Sequence, residues 1–455
     1  MSDYLIALVY AAMLLGGAAA PFVTSLGYVW VDSFYPQYVG RYVLGNFPVA
    51  AVMGTAALLG YVLMDRRSPP RIGAMLILTG IMALWMTLSL TWSVAPEGAW
   101  LKWDWAFKTV LFAGFIPFVF RSRVQIEALI QVHILGSAMH IIPVGIKSFL
   151  TGGGYGMNLT LLPANVGMSE SSAMATVGLM YVPLLLFLRR HSLLVPWPWM
   201  RHTFYASFAI FCIPAAIGTG ARTGIVCMAV LAGLYWLQSR QKLVSGFALA
   251  ILGVLVVIFS PDRWKARMAT IDDYQQEASA LTRIKVWQWV LDFVRDNPLG
   301  GGLRAYEINV ILMPPDAYNP EGWTQRGRSP HSTWFEMLSE LGWPGLILFA
   351  VLIIVTFITL HRVLRRTRGI EEMLWCSDLA KALGMALLVL MAGSTFIGVG
   401  FQPWYWLLFA TSFCLGEYVR RALAPAKPRG VFVPATEGPA SRPPAMPGLP
   451  ARRRV

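Results

Sequence analysis

Apolar residues dominate the chain in long runs, which short polar segments interrupt at fairly regular intervals. A membrane-spanning helix needs about 20 mostly apolar residues, and only helices and closed barrels satisfy their backbone hydrogen bonds within a bilayer. The pattern therefore predicts an all-α polytopic membrane protein of about twelve spans. The predicted spans are 4–22, 46–64, 72–92, 104–120, 126–146, 171–188, 203–217, 223–238, 244–260, 334–360, 380–398 and 402–420.

Basic residues follow the even-numbered spans, whereas the short odd-numbered connections have few. The positive-inside rule then predicts that both termini are cytoplasmic and that the odd connections lie outside, in the periplasm of a bacterial inner membrane. The longest outer connections are 23–45, 147–170 and 261–330. The residues that carry the basic pattern are Arg66, Arg67, Arg71, Arg121, Arg123, Arg189, Arg190, Arg201, Arg240, Lys242, Arg362, Arg365, Arg366 and Arg368.

Composition agrees with this assignment. The 455 residues are 56% apolar and 13% charged, whereas an average soluble domain is about 25% charged. This difference excludes an ordinary soluble enzyme, a disordered protein and a nucleic-acid reader with a solvated basic face. The formal charge of +14 is explained first by the excess of basic residues in the cytoplasmic connections of a membrane protein. The four cysteines show no metal-ligand spacing, and we expect no structural disulfide.

The chain divides into a transmembrane domain, 1–421, and a Pro/Arg-rich tail, 422–455, which we expect to be disordered and cytoplasmic. Within the domain, the periplasmic loop 261–330 carries nine basic and nine acidic residues. Its segment 277–298 has helical spacing of apolar residues and ends at Asn297-Pro298, before a triple-glycine turn. We expect this helix to lie along the membrane surface, with Trp287 and Trp289 at headgroup level.

Two predicted outer helix ends hold the strongest candidates for chemistry. Arg222 follows small residues in GTGARTG and precedes a helix, whose N-terminus favours an anion such as phosphate. His331, in RSPHSTWFE, is predicted to lie in the first turn of the tenth span, with Pro330 in that turn and Thr333 and Glu336 at capping-box spacing. An imidazole there can act as a general base. The alternatives are a snorkelling arginine and a surface histidine.

Other charged residues are weaker candidates. Arg283, Arg304 and Arg328 lie where they could reach a diphosphate, whereas Lys285 and Arg295 fit a solvated helix face better.

Four acidic residues are candidate ion-pair partners or metal ligands. Glu340 is predicted to be an internal ion-pair partner. Asp32 and the consecutive pair Asp272-Asp273 could bind a metal. For Asp32, however, a structural role in a turn is the better interpretation. We predict no metal site and no cofactor. His133 and His140, seven residues apart on one helix, are predicted to form interhelical hydrogen bonds.

Three stretches follow one another along the chain: GARTGIV (220–226), RIKVWQWVLDFVRDNPLGGGLRAYE (283–307) and PHSTWFEMLSELGWPG (330–345). In this order they resemble the O-antigen ligase-like superfamily of bacterial membrane proteins, which includes O-antigen ligases, O-antigen polymerases and protein O-oligosaccharyltransferases. The stretch 260–284 and the N-terminal WVDSFYPQ are most similar to O-glycosylation ligases associated with exosortase A. The matching positions are Arg222, Arg283, Trp287, Pro298, Leu299, Gly300, Gly302, His331, Ser332, Glu340, Gly342 and Gly345.

The resemblance implies a glycosyltransferase of GT-C-like architecture that uses a polyprenyl-diphosphate-linked glycan and a glycan, lipid or protein acceptor, as in lipopolysaccharide or other polysaccharide biosynthesis. Arg222 and His331 would be catalytic, and Arg222, Arg283, Arg304 and Arg328 would bind the diphosphate. Guanidinium groups can stabilise that leaving group without a metal. A polymerase of the same superfamily and a flippase of lipid-linked sugar stay open as alternatives.

Overall fold

A computed structural model describes residues 2–151, 162–163, 166–259, 278–313 and 322–424. This part of the chain is almost entirely helical, with one small β-hairpin. The helices of its first half are α1 (Ser2–Ala19), α2 (Phe22–Phe34), α3 (Pro36–Val39), α4 (Arg41–Leu44), α5 (Val49–Met64), α6 (Ala74–Leu88), α7 (Pro96–Val119), α8 (Arg123–Thr151) and α9 (Ser171–His191). The second half contains α10 (Pro198–Gly218), α11 (Arg222–Gln238), α12 (Lys242–Phe259), α13 (Ala278–Asp296), β1 (Val310–Met313), β2 (Trp323–Arg326), α14 (Thr333–Arg366), α15 (Leu374–Ser394) and α16 (Pro403–Ala422).

Every predicted span coincides with a helix, and the described residues include five segments long and apolar enough to cross a membrane. The chain is therefore a polytopic membrane protein, and the number of about twelve crossings stays a prediction. The five segments are Ala74–Trp92, Arg123–Thr151, Ser171–His191, Thr333–Arg366 and Glu371–Ser394.

The prediction that 23–45 is an outer loop is wrong, because α2 occupies its first part. Most of this helix is buried, and it packs antiparallel to α5: Pro21, just before α2, lies against Gly60, whereas Gly27, further along α2, lies against Met53. With 13 residues, α2 is too short for a 20-residue apolar window. Tyr35 ends it in the left-handed conformation, at φ 56°.

The additional helix reverses the direction predicted for α1. The backbone N–H of Tyr42 donates to the Asp3 carboxylate at 3.1 Å, which places the start of α1 beside the start of α5. The turn after α1 lies at the other end, where Pro21 contacts Gly60. The start of α1 and the end of α16 therefore lie at opposite ends of the bundle, whereas the sequence predicted both termini on one side. Residues 425–455 lie outside the described ranges.

One end of the bundle, which we call the Arg-rich end, collects the basic connections. Arg67 donates to the carbonyl of Val119 at 2.9 Å, and Arg421 donates to that of Arg121 at 2.8 Å. Nearby, the buried Glu127 carboxylate accepts the backbone N–H groups of Leu193 and Leu194, which fixes the connection after α9. These bonds join α5, α7, α8, α9 and α16 at the end that sequence reasoning assigned to the cytoplasm.

The opposite end, which we call the outer end, is covered by α13, the hairpin and a glycine turn. Gly300 and Gly302 adopt φ values of 78° and 81°. Helix α14 is interrupted at Gly342, whose φ is 66°. The backbone N–H of the next residue, Trp343, donates to the carbonyl of Pro298 at 3.0 Å. A Cβ on Gly300 or Gly342 would clash with the facing backbone. The glycines therefore let the turn lie directly on the broken helix.

Candidate active site

The start of α9 brings two predicted site residues to the same end of the bundle. The Thr223 hydroxyl, next to Arg222, donates to the Ser172 hydroxyl at 3.4 Å. Two residues before Ser172, a carboxylate oxygen of Glu170 lies 3.6 Å from Nδ1 of His331. Arg222 and His331 therefore flank the same N-terminus, although they are 109 positions apart in the chain.

The local structure around Arg222 agrees with the prediction. Gly220 has a φ of 65°, Ala221 is the N-cap, and α11 begins at Arg222 itself. The left-handed glycine makes the sharp turn between α10 and α11. The half-buried Arg222 thus opens a helix, where backbone N–H groups and the helix dipole favour an anion.

His331 differs in detail from the prediction. Helix α14 begins at Thr333, with Ser332 as its N-cap, so His331 and Pro330 lie outside the first turn. The proposed capping box is absent: the Thr333 hydroxyl donates to the carbonyl of Ile397 at 3.0 Å, and the Glu336 carboxylate contacts a lysine.

His331 has a φ of 47°, a left-handed conformation that is uncommon outside glycine. Its side chain is 45% exposed. The 3.6 Å separation from Glu170 is longer than a hydrogen bond, but it is short enough for the carboxylate to attract an imidazolium. The arrangement leaves an accessible imidazole beside an acidic partner.

Helix α13 supports the His331 segment from one side. The indole of Trp287 donates to the carbonyl of Pro330 at 2.8 Å, and its ring stacks on Phe335 with centroids 5.0 Å apart. Trp287 is thus bound to the protein, whereas its predicted place was among lipid headgroups. Arg283 lies one turn earlier, and four-residue spacing puts it on the same helix face as Trp287. Arg283 is half-buried.

The remaining predicted arginines have other surroundings. Arg304 is left-handed at φ 58°, forms a 2.8 Å salt bridge with Glu307 and contacts the Tyr306 hydroxyl at 3.4 Å. Arg328 is exposed, and its backbone N–H donates to the buried Asn309 side chain at 2.9 Å. The structure thus places both arginines at the outer end but does not show either guanidinium beside His331.

A buried ion triad lies one helical turn beyond His331. The Lys102 ammonium on α7 contacts Glu336 and Glu340 on α14, each at 2.7 Å. Its side chain is 7% exposed, and that of Glu340 is fully buried. Glu336 also accepts the backbone N–H of Gly400 at 3.1 Å. The prediction of an internal partner for Glu340 is confirmed, and the triad ties the start of α14 to α7 and to the connection before α16.

Several further predictions concern residues away from His331. His133 contacts the Tyr181 hydroxyl at 3.0 Å, and His140 donates to the carbonyl of Phe34 at 3.0 Å, so both form the expected interhelical bonds. Asp32 lies in the last turn of α2, not in a loop turn. Cys376, which precedes the predicted span 380–398, is buried in α15.

Asp272 and Asp273 lie outside the described residues, so the structure does not test them as metal ligands. Among the residues that are described, no group of three or more His, Cys, Asp or Glu side chains could hold a metal ion.

Sequence reasoning missed two residues of this region. Glu170 is close to His331 only because α9 and α14 meet at the outer end, and no local motif marks it. Lys102 is 234 residues from Glu336 and 238 from Glu340. The sequence did contain an electrostatic indication of such a lysine: two glutamates four residues apart on an apolar helix require a cation from another part of the chain.

Comparison with known families divides the chain in two. Residues 1–193 match a family of unknown function (DUF5935), and residues 207–350 match the family described as O-Antigen ligase. No curated protein matches the chain. Glu170 and Lys102 lie in the first matched segment, whereas their partners lie in the second. Residues 1–193 are thus similar to a domain of unknown function and residues 207–350 to an O-antigen ligase domain, and the latter match implies glycosyltransferase or ligase activity on lipid-linked glycans.

Proposed function

We propose that this protein transfers a polyprenyl-diphosphate-linked glycan to an acceptor hydroxyl at the outer end of the bundle. The O-antigen ligase domain supports this activity, because Arg222, Arg283 and His331 all fall within it. The single observation that carries the proposal is that Thr223, next to Arg222, and His331 both contact residues at the start of α9, Ser172 and Glu170 respectively.

The proposed reaction is an inverting displacement at C1 of the donor sugar. The acceptor oxygen forms a bond to C1 as the bond from C1 to the diphosphate oxygen breaks, and the acceptor proton passes to His331. The leaving diphosphate gains negative charge, which Arg222 and Arg283 stabilise together with the N-terminus of α11. Arg304 and Arg328 remain predicted diphosphate contacts. The reaction as written requires no metal, since the guanidinium groups supply the positive charge.

The orientation in the membrane follows from the Arg-rich end. Arginines concentrate on the cytoplasmic side of membrane proteins, so the site at the opposite end faces the periplasm of a bacterial inner membrane. The start of α1 then lies on the periplasmic side, which differs from the sequence prediction.

The test uses the purified full-length protein, a defined lipid-linked oligosaccharide and a set of glycan, lipid and protein acceptors. We expect Arg222→Ala and His331→Ala each to lower the transfer rate by about 100-fold or more, because removing an oxyanion stabiliser or a general base has effects of this size. Arg295→Ala is the matched control, since Arg295 is 76% exposed and pairs only with Asp292 among the described residues. Full activity in both site variants would refute the assigned roles.

Product mass separates this activity from its alternatives. One glycan added to a distinct acceptor supports a ligase, whereas a ladder of donor repeats would identify a polymerase. Movement of the lipid-linked glycan across a vesicle membrane, without transfer, would identify a flippase. The orientation of the protein in the membrane is tested by attaching a tag before Ser2 and measuring whether a protease added on one side of the membrane can reach the tag.

A further inference from the structure

A cavity at the Arg-rich end lies far from the candidate active site and has a volume of about 250 Å³. The connection after α5, the end of α7 and the end of α16 enclose it. Its walls include Ser68, Phe120, Arg121, Arg420 and Arg421. These segments come from distant parts of the chain, so the clustering of arginines there is a product of the fold.

Positive charge at this cavity exceeds negative charge. Arg420 is paired with Glu417 at 2.7 Å, and Arg67, just outside, is paired with Asp65. The hydrogen bond from Arg67 holds the pKa of Asp65 below its ordinary value, which keeps that carboxylate ionised. Neither Arg121 nor Arg421 forms a salt bridge among the described residues, although Asp65 attracts the first and Glu417 the second at longer range. Because these two carboxylates also pair with Arg67 and Arg420, the four arginines exceed the two carboxylates by two charges.

Arg121 gives the clearest evidence for an anion-binding site at this cavity. It is 8% exposed, and its side chain donates to the backbone carbonyls of Phe118 and Ser68. Its Nη2 atom is buried and has no hydrogen-bond partner within the described ranges. Leaving a buried charged donor unsatisfied is costly. Burial and the neighbouring Arg67 lower the pKa of Arg121, so an anion would relieve both effects.

A second, more apolar cavity of about 240 Å³ adjoins the first and shares Glu417 and Arg420 with it. It lies between α6, α14 and α16, and its apolar walls include Met75, Val355 and Phe413. Two further arginines, Arg362 and Arg366, also line this cavity, but a free phosphate would gain nothing from its apolar walls. A lipid would place its phosphate among the arginines and part of an acyl chain against the apolar walls.

We propose that the cavity around Arg121 and Arg421 binds the phosphate of an anionic membrane lipid. The site is separate from the proposed glycan-transfer site and does not depend on that activity. Basic pockets between helices on the cytoplasmic side of membrane proteins have the chemistry that such headgroups require.

Native mass spectrometry of the detergent-purified full-length protein tests this site. The probes are phosphatidylglycerol and phosphatidylcholine with identical acyl chains, and inorganic phosphate is used in a parallel thermal-shift arm. We expect tighter retention of phosphatidylglycerol, and a thermal stabilisation that inorganic phosphate does not reproduce. Arg121→Gln and Arg421→Gln should each weaken phosphatidylglycerol binding by about tenfold, because each removes a charge-assisted hydrogen bond.

Arg240→Gln is the matched control, since it removes one exposed arginine from the same end without touching either cavity. Arg121→Lys retains the charge and should keep part of the binding. Arg421→Gln covers the case in which loss of the Arg121 backbone bonds impairs folding. Equal retention of the two lipids by the wild type, equal stabilisation by inorganic phosphate, or unchanged binding in the folded variants would each overturn the proposal.

Discussion

The ion triad of Lys102, Glu336 and Glu340 offers the sharpest test of how the outer end is held together. One ammonium contacts two carboxylates at 2.7 Å, and the side chains of Lys102 and Glu340 are almost completely buried. The ring of Phe401 lies 4.8 Å from the ammonium and closes another side. In Lys102→Met, two carboxylates would remain close together without their cation.

The size of the effect follows from this burial. Removing one partner of a buried ion pair costs about 3–5 kcal/mol, because the remaining charge has lost both water and its partner. We expect Lys102→Met to fall in that range. Glu340→Gln should cost less, because Lys102 and Glu336 still form a one-to-one pair. The double variant Lys102→Met/Glu340→Gln should recover part of the loss, since only one carboxylate then lacks its cation.

Denaturant unfolding in mixed micelles measures these free energies, and thermal midpoints rank the variants. Lys108→Met is the matched control on the same helix: its lysine is 45% exposed and pairs with Asp104 four residues away. Such pairs contribute about 0.3–0.5 kcal/mol. If Lys102→Met were no more destabilising than Lys108→Met, the reasoning from burial would be refuted.

Three further predictions concern the site and the turn above it. Glu170→Gln should slow glycan transfer by up to about 100-fold with little change in the thermal midpoint. The reason is that His331 loses its acidic neighbour, and misplacement of a catalytic group has effects of this size. An unchanged rate would show that Glu170 is not part of the site. EDTA should leave the transfer rate of the purified protein unchanged, and inhibition that added metal reverses would contradict a guanidinium-only clamp. Gly342→Ala should sharply reduce the yield of folded protein in size-exclusion chromatography, since its Cβ would meet the Pro298 carbonyl at positive φ, whereas Gly233→Ala, with open space around it, should fold normally.

Features set by local composition were predictable from the sequence. Apolar runs of about 20 residues located the helices, and the glycines around Arg222 located a turn before a helix. The short helix α2 was not predictable in this way, because Ser25, Asp32 and Ser33 interrupt its apolar pattern. Strands β1 and β2 have four residues each, too few for their pattern to be distinctive.

Contacts between distant segments account for most of what the sequence did not reveal. His331 and Arg222 could be identified as residue types suited to phosphate chemistry, but their common neighbour, the start of α9, is known only from the fold. Arg304 shows the converse: its sequence position suggested a diphosphate contact, whereas the structure pairs it with Glu307. A charged residue near a motif can thus form an ion pair within the turn that carries the motif.

The backbone at His331 links these observations to function. A left-handed residue that is not glycine costs about 1–3 kcal/mol and persists only where its surroundings impose it. Here the indole of Trp287 donates to the carbonyl of Pro330, the residue before His331. Two residues after His331, the Thr333 hydroxyl donates to the carbonyl of Ile397. The lysine triad then fixes the first turns of α14. This support keeps the imidazole of His331 beside Glu170 at the start of α9, where the proposed reaction uses it as the base for the acceptor hydroxyl.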